Sequence, residues 1–126
     1  MRRILVVEDS AATRSFVRSA LEDGGHLGQC DIVEATSGFD ALRLLPRGPY
    51  DLVITDINMP RMNGIEMLTF LKQDPRHANL LVLMLTTEGQ PALIARAKAA
   101  GARGWIVKPF KPDLLLGTVR KLVGSA

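Results

Sequence analysis

The segment Leu52-Val53-Ile54-Thr55 is four apolar or β-branched residues in a row, and it runs straight into a carboxylate at Asp56. A near-continuous apolar run of this kind reads as a strand buried on both faces, which is the habit of a parallel sheet. Asp56 then falls at the carboxyl end of a central strand, where open α/β sheets place their ligands. A loop closed by Pro60 and then Asn63-Gly64 follows. Asp also ends strands and shapes turns, and the segment alone does not choose between the two roles.

The rest of the chain repeats the pattern. Ile4-Leu5-Val6-Val7 leads into Glu8-Asp9, Ile32-Val33-Glu34-Ala35 is a short second strand, and Leu80 to Leu85 leads into Thr86-Thr87-Glu88. Trp105-Ile106-Val107 is stopped by Lys108-Pro109. Helical segments alternate with these strands. Ser10 caps the first, with Phe16, Val17, Ala20 and Leu21 at helical spacing, and Gly24-Gly25 ends it. Ser37 caps a second through Leu45, with Asp40 placed as in a capping box, and Pro46 and Gly48-Pro49 end it. Asn63 caps a third bearing Ile65, Leu68 and Leu71, limited by Pro75. Pro91 opens an Ala-rich fourth that Gly101 ends, and Pro112 opens a fifth with Leu115, Val119 and Leu122 on one face.

Five strands and five helices in strict alternation, with short links, predict an α/β fold: a doubly wound parallel sheet with helices on both faces and right-handed crossovers. Residues 1–126 form a single domain on this reading, with no internal repeat and no linker. An apolar share of 47% sustains a core. No apolar run approaches a membrane span, and the four apolar residues after Arg2-Arg3 are too few for a signal-peptide core. The single cysteine, Cys30, excludes an internal disulfide and suggests a reducing cytoplasm. His26, in the glycine-rich loop from Gly24 to Gln29, reads as solvated. Read alone, Trp105 is a core residue.

Charge is uneven. Residues 1–89 carry nine Lys/Arg against twelve Asp/Glu, and residues 90–126 carry seven against one. No dense basic run with interleaved aromatics suggests direct nucleic-acid binding. The asymmetry instead suggests one basic face suited to an acidic protein partner.

In a parallel sheet all carboxyl ends share one edge, which here gathers Glu8, Asp9, Asp56, Thr86 and Lys108. Close carboxylates disfavour one another's ionisation. A hard cation relieves this, and Mg2+ takes oxygen ligands. Asp9 and Asp56 can ligate it directly, Glu8 through water, and a backbone carbonyl just past Asp56 can add another oxygen. With Lys108 as a second positive charge, the site suits an anion, best a phosphoryl group. Thr86 donates to its oxygens and Asp56 attacks phosphorus, as carboxylate nucleophiles do in forming aspartyl phosphates.

The motifs Val6-Val7-Glu8-Asp9-Ser10, Thr55-Asp56-Ile57-Asn58-Met59-Pro60, Leu85-Thr86-Thr87-Glu88 and Val107-Lys108-Pro109-Phe110 resemble those of response regulator receiver domains in two-component signalling, most of all the stand-alone, CheY-like chemotaxis type. The likeness runs from Ile4 to about Val123. It implies the flavodoxin-like strand order 2-1-3-4-5, Asp56 as acceptor of a phosphoryl group from a histidine kinase, and Mg2+ held by Glu8, Asp9, Asp56 and the carbonyl of Asn58. It further implies that Thr86 and Lys108 bind the phosphoryl group, that Thr86 and Trp105 form a switch, and that Lys108–Pro109 is cis. Asn58, Thr87 and Glu88 would tune dephosphorylation. The implied protein is a cytoplasmic, monomeric signalling module rather than an enzyme proper, assisting its own phosphorylation and dephosphorylation. Its downstream protein target would meet the fourth helix, fifth strand and fifth helix.

Four positions depart from the commoner pattern. Glu8 replaces Asp and is expected to push its carboxylate outward. Trp105 replaces Tyr or Phe, which would hinder inward rotation. Thr87 is bulkier than usual, and Asn63 stands where Asp often precedes the glycine. Other classes fit less well. A flavodoxin would place hydroxyls and amides after the first strand, where Glu8-Asp9 would repel a phosphate. A haloacid-dehalogenase-like phosphatase wants an acid two residues past its nucleophile, where this chain has Asn58. A receiver within a longer regulator, or a non-phosphorylated interaction module, shares the fold; the second usually lacks one of the groups kept here.

Overall fold

The computed structural model describes residues 2–23, 30–87 and 91–124. The strands are β1 (Arg2–Val7), β2 (Cys30–Ala35), β3 (Leu52–Asp56), β4 (Leu81–Thr86) and β5 (Gly104–Val107). The helices are α1 (Ala11–Asp23), α2 (Gly38–Leu44), α3 (Gly64–Lys72), α4 (Pro91–Ala100) and α5 (Pro112–Val123). All neighbouring strands pair in parallel, in the order β2-β1-β3-β4-β5. Every residue of β3 is buried, as a central strand covered on both faces requires.

Side chains alternate across each strand and divide the core in two. Leu5, Val7, Val53, Val82 and Met84 pack with Ala41, Leu44, Leu68, Leu71 and Ala97, from α2, α3 and α4. Ile4, Val6, Leu52, Ile54, Leu83, Leu85 and Ile106 pack with Val17, Leu21, Leu115 and Val119, from α1 and α5. Both sheet faces are thereby closed, and function is left to the edges.

The caps follow the sequence with two adjustments. Ser10 Oγ accepts from the Thr13 amide at 3.3 Å, and Ser37 Oγ from the Asp40 amide at 3.0 Å. Asp40 reaches back to the Thr36 amide at 3.0 Å, one residue beyond the reciprocal partner a capping box uses. The box at α3 is complete: Asn63 accepts from the Glu66 amide at 2.8 Å, and Glu66 from the Asn63 amide at 3.0 Å. The helix expected through Leu45 stops at Leu44 and tightens into a 3-10 turn over Leu45–Arg47, because Pro46 has no amide proton to continue it. Gly101, at φ 115°, closes α4.

Trp105 corrects the reading of it as core. β5 is an edge strand with Ile106 turned into the core, so Trp105 faces the opposite side and stays 36% exposed, beneath the Lys98 ammonium at 5.5 Å from the ring centroid. His26 lies outside the described residues.

Candidate functional site

Register brings the chemistry together. Val7 pairs with Thr55, Asp56 with Leu85 and Thr86 with Val107, so Glu8, Asp56 and Lys108 emerge side by side at the carboxyl edge. The ladder continues past the strand ends. The Glu8 amide donates to Ala35 O at 3.0 Å, that of Ile57 to Leu85 O at 2.8 Å and that of Lys108 to Thr86 O at 2.7 Å. These bonds hold the peptide units beneath the site in place.

Glu8, Asp9 and Asp56 each turn an oxygen into one cluster, with those atoms all within 4.8 Å of one another. Glu8 and Asp56 are buried and Asp9 is exposed. Lys108 Nζ stands 3.0 Å from Asp56 Oδ2 and 3.4 Å from Glu8 Oε2. The Ser10 amide donates to Glu8 Oε1 at 3.2 Å, and the Asn58 amide to Asp56 Oδ1 at 3.3 Å. Thr86 is buried beside this edge at the end of β4. The Lys108–Pro109 peptide is cis, as is Gly48–Pro49, where the sequence marked only a break.

Glu8 departs from expectation. Its longer side chain does not carry the carboxylate outward: it is 1% exposed and shares Lys108 with Asp56. Burial lifts its pKa from 4.5 to about 7, helped by the charge of Asp56 and a hydrogen bond between the two carboxyl groups, against the pull of Lys108 and the Ser10 amide. Three carboxylates around one ammonium carry more negative charge than the site balances. Their donor set, oxygen alone, fits a hard divalent cation.

Asn58 Nδ2 donates to Thr87 Oγ1 at 3.1 Å, bridging the loops after β3 and β4. Glu88 lies outside the described residues. Two supports were not foreseen. Arg14 Nη1 donates to Glu8 O at 2.8 Å, and a β-carbon at Gly64 would collide with the Asp56 carbonyl oxygen. Neither belongs to a strand end, so only their neighbourhood in space reveals them.

A doubly wound sheet with clustered acids and a lysine at its carboxyl edge is the architecture of a receiver, and the chain belongs to the response regulator receiver domain family, whose profile matches residues 4–120. Within it, the chain is 38% identical over 120 residues to Chemotaxis protein CheY of Pseudomonas aeruginosa, covering 95% of this chain and 94% of that one. It is 42% identical over 120 residues to Chemotaxis protein CheY-3 of Vibrio cholerae, covering 95% and 90%. The fold superposes on the solved structure of Vibrio cholerae chemotaxis protein CheY4 with a TM-score of 0.89 at 36% identity, over 97% of this chain and 98% of that one. The receiver domain of Francisella response regulator 1452 gives a TM-score of 0.85 at 26% identity, over 98% and 97%. The flavodoxin and phosphatase readings fall away with this membership. No described helix is long and apolar enough to cross a membrane.

Proposed function

We propose that this chain is a phospho-accepting receiver of the chemotaxis type, a single domain over residues 1–126. It takes a phosphoryl group from a histidine kinase onto Asp56 and switches its α4-β5-α5 face to control a protein partner. The observation that carries this reading is the placement of the Asp56 carboxylate between an ammonium 3.0 Å away and a pocket of further carboxylate oxygens. One Asp56 oxygen forms the bond to phosphorus while the bond to the donor's leaving group breaks. Glu8, Asp9, Asp56 and the Asn58 carbonyl would hold Mg2+, which supplies charge neutralisation for the phosphoryl oxygens when bound. Lys108, already paired with Asp56, follows the new anion, and the Thr86 hydroxyl donates to it. Asn58, Thr87 and Glu88 tune the phosphate's lifetime.

Incubation with phosphoramidate and Mg2+ is expected to add one phosphoryl group by intact mass, and Asp56→Asn to abolish it. Modification that persists in Asp56→Asn, or that is indifferent to EDTA, would overturn the assignment.

The output face supports the second half of the reading. Trp105, Val107 and Leu114 are 36%, 41% and 53% exposed, and the α4, β5 and α5 stretch also carries exposed Arg96, Lys98, Arg103, Lys111, Arg120 and Lys121. Exposed apolar and basic side chains on these elements suit an acidic, amphipathic segment of a partner.

A further inference from the structure

Beside the carboxylate cluster, a cavity of about 590 Å3 opens between α1 and the loop after β5. This volume lies within the range of small-molecule sites, roughly 300–1,000 Å3. Its walls are mostly apolar, Ala12 and Phe16 from α1 and Pro109 and Phe110 from the loop, with Thr13, Thr87 and Lys108 supplying the polar groups. Phe16 and Phe110 meet edge to face, 5.6 Å between centroids at 69°, and Phe16 remains 42% exposed. A lone exposed Phe is ordinary. Two aromatics and a proline lining a cavity that ends on a catalytic ammonium are not. Lys108 belongs to the cavity wall and also donates to Asp56 Oδ2 at 3.0 Å, so the cavity and the acceptor carboxylate share one charged group. A donor whose phosphoryl group reaches Asp56 past Lys108 has its remaining atoms beside these rings.

We propose that the cavity receives the apolar leaving group of a small acyl phosphate, so that the protein selects aromatic acyl phosphates over acetyl phosphate as phosphodonors. This rests on Asp56 being the acceptor. The step balances without a proton: an Asp56 oxygen forms the bond to phosphorus, the anhydride P–O bond breaks, and the electron pair leaves on the aryl carboxylate, which is an anion at neutral pH. Lys108, in the cavity wall, is the cation available to that new charge. The flat ring of the leaving group packs against the wall that the Phe16–Phe110 pair forms, which offers it an aromatic edge and face.

The test compares phosphorylation rates with phosphoramidate, acetyl phosphate and benzoyl phosphate, each normalised to the donor's reactivity toward hydroxylamine. A partly buried ring is expected to favour benzoyl over acetyl phosphate roughly tenfold. Phe16→Ala and Phe110→Ala, which strip the wall, and Ala12→Leu, which fills the cavity, should each bring that ratio close to one. In metal-free protein, benzylphosphonate should shift the ring resonances of Phe16 and Phe110, and methylphosphonate should not. Equal normalised rates in the wild type, or a preference that survives both Phe16→Ala and Ala12→Leu, would overturn the proposal. So would an unchanged donor ratio in Phe16→Ala accompanied by lost phosphotransfer from a histidine kinase, because the cavity would then serve a protein. Phosphorylation by phosphoramidate without aromatic preference removes only this inference; no modification by any donor removes the Asp56 reading as well.

Discussion

Glu8 is the residue through which the site responds to pH. Its folded pKa of about 7 lies above the ordinary 4.5, so the folded protein holds a proton there that the unfolded chain releases. The stabilisation that proton provides is complete below 4.5 and is lost as pH rises through about 7. A divalent cation competes with the proton for the same oxygens. Mg2+ affinity is therefore expected to rise across this window and level off above it. Thermal melts in EDTA and in Mg2+ check this: the gap between them should widen from pH 5.5 to pH 8, and Glu8→Gln should flatten the dependence. A gap independent of pH would remove Glu8 from the cation site.

At the scale of elements, α3 and α4 behave differently because they are anchored differently. The Gly64 amide donates to Ile57 O at 2.9 Å, and its missing side chain lets α3 start directly against the Asp56 carbonyl. Gly64→Ala must push the helix off the strand end. We expect a loss of about 1–3 kcal/mol, as for overpacked cores, together with slower phosphorylation. Asn63→Ala removes only the cap, costing about 1 kcal/mol, with the rate retained. Chemical denaturation and donor kinetics separate the two variants, and equal rates in both would deny Gly64 a part in shaping the site. α4 has Ala97 alone fully buried, whereas α3 buries Ile65, Met67, Leu68 and Leu71. So lightly held a helix opens at low cost. Its amides should exchange with solvent roughly tenfold faster than those of α3; equal protection would argue against α4 as the element that shifts.

The whole molecule carries its acidic chemistry at the sheet's carboxyl edge and its basic rim on the α4-β5-α5 face. A phosphoryl group at Asp56 gives the Thr86 hydroxyl a charged partner, worth roughly 1.5–3 kcal/mol. Reversing a population from 1:99 to 99:1 needs about 5.5 kcal/mol, so Lys108 and the loop amides must contribute. In the proposed switch Trp105 would also leave Lys98, a cation–π contact worth about 0.5–1 kcal/mol at an exposed site. Beryllofluoride with Mg2+ is expected to reduce quencher access to Trp105, the only tryptophan. Thr86→Ala should abolish the response. Lys98→Ala should lower the beryllofluoride needed roughly two- to fivefold, the equivalent of the released contact. Unchanged Trp105 emission in the wild type would sink the switch.

How much of this was legible before folding depends on how local each signal is. The buried runs Leu52–Thr55 and Leu80–Leu85, the caps at Ser10, Ser37 and Asn63, and the acid, threonine or lysine that ends the first, third, fourth and fifth strands are short-range patterns. Parallel pairing then necessarily collects those strand ends at one edge. For this reason the doubly wound fold and the grouping of Glu8, Asp9, Asp56, Thr86 and Lys108 could be read from the chain, whereas the strand order came only with the resemblance to receiver domains. Tertiary structure alone decided what depends on distance and solvent: that Glu8 folds inward to where burial raises its pKa, that Trp105 sits under Lys98 on an edge strand, and that Arg14 and Gly64 support the site. It alone brought Phe16 of α1 against Phe110, far apart in the sequence, to wall a cavity beside Lys108. Burial and neighbourhood arise from packing of elements remote in sequence, and no local pattern encodes them.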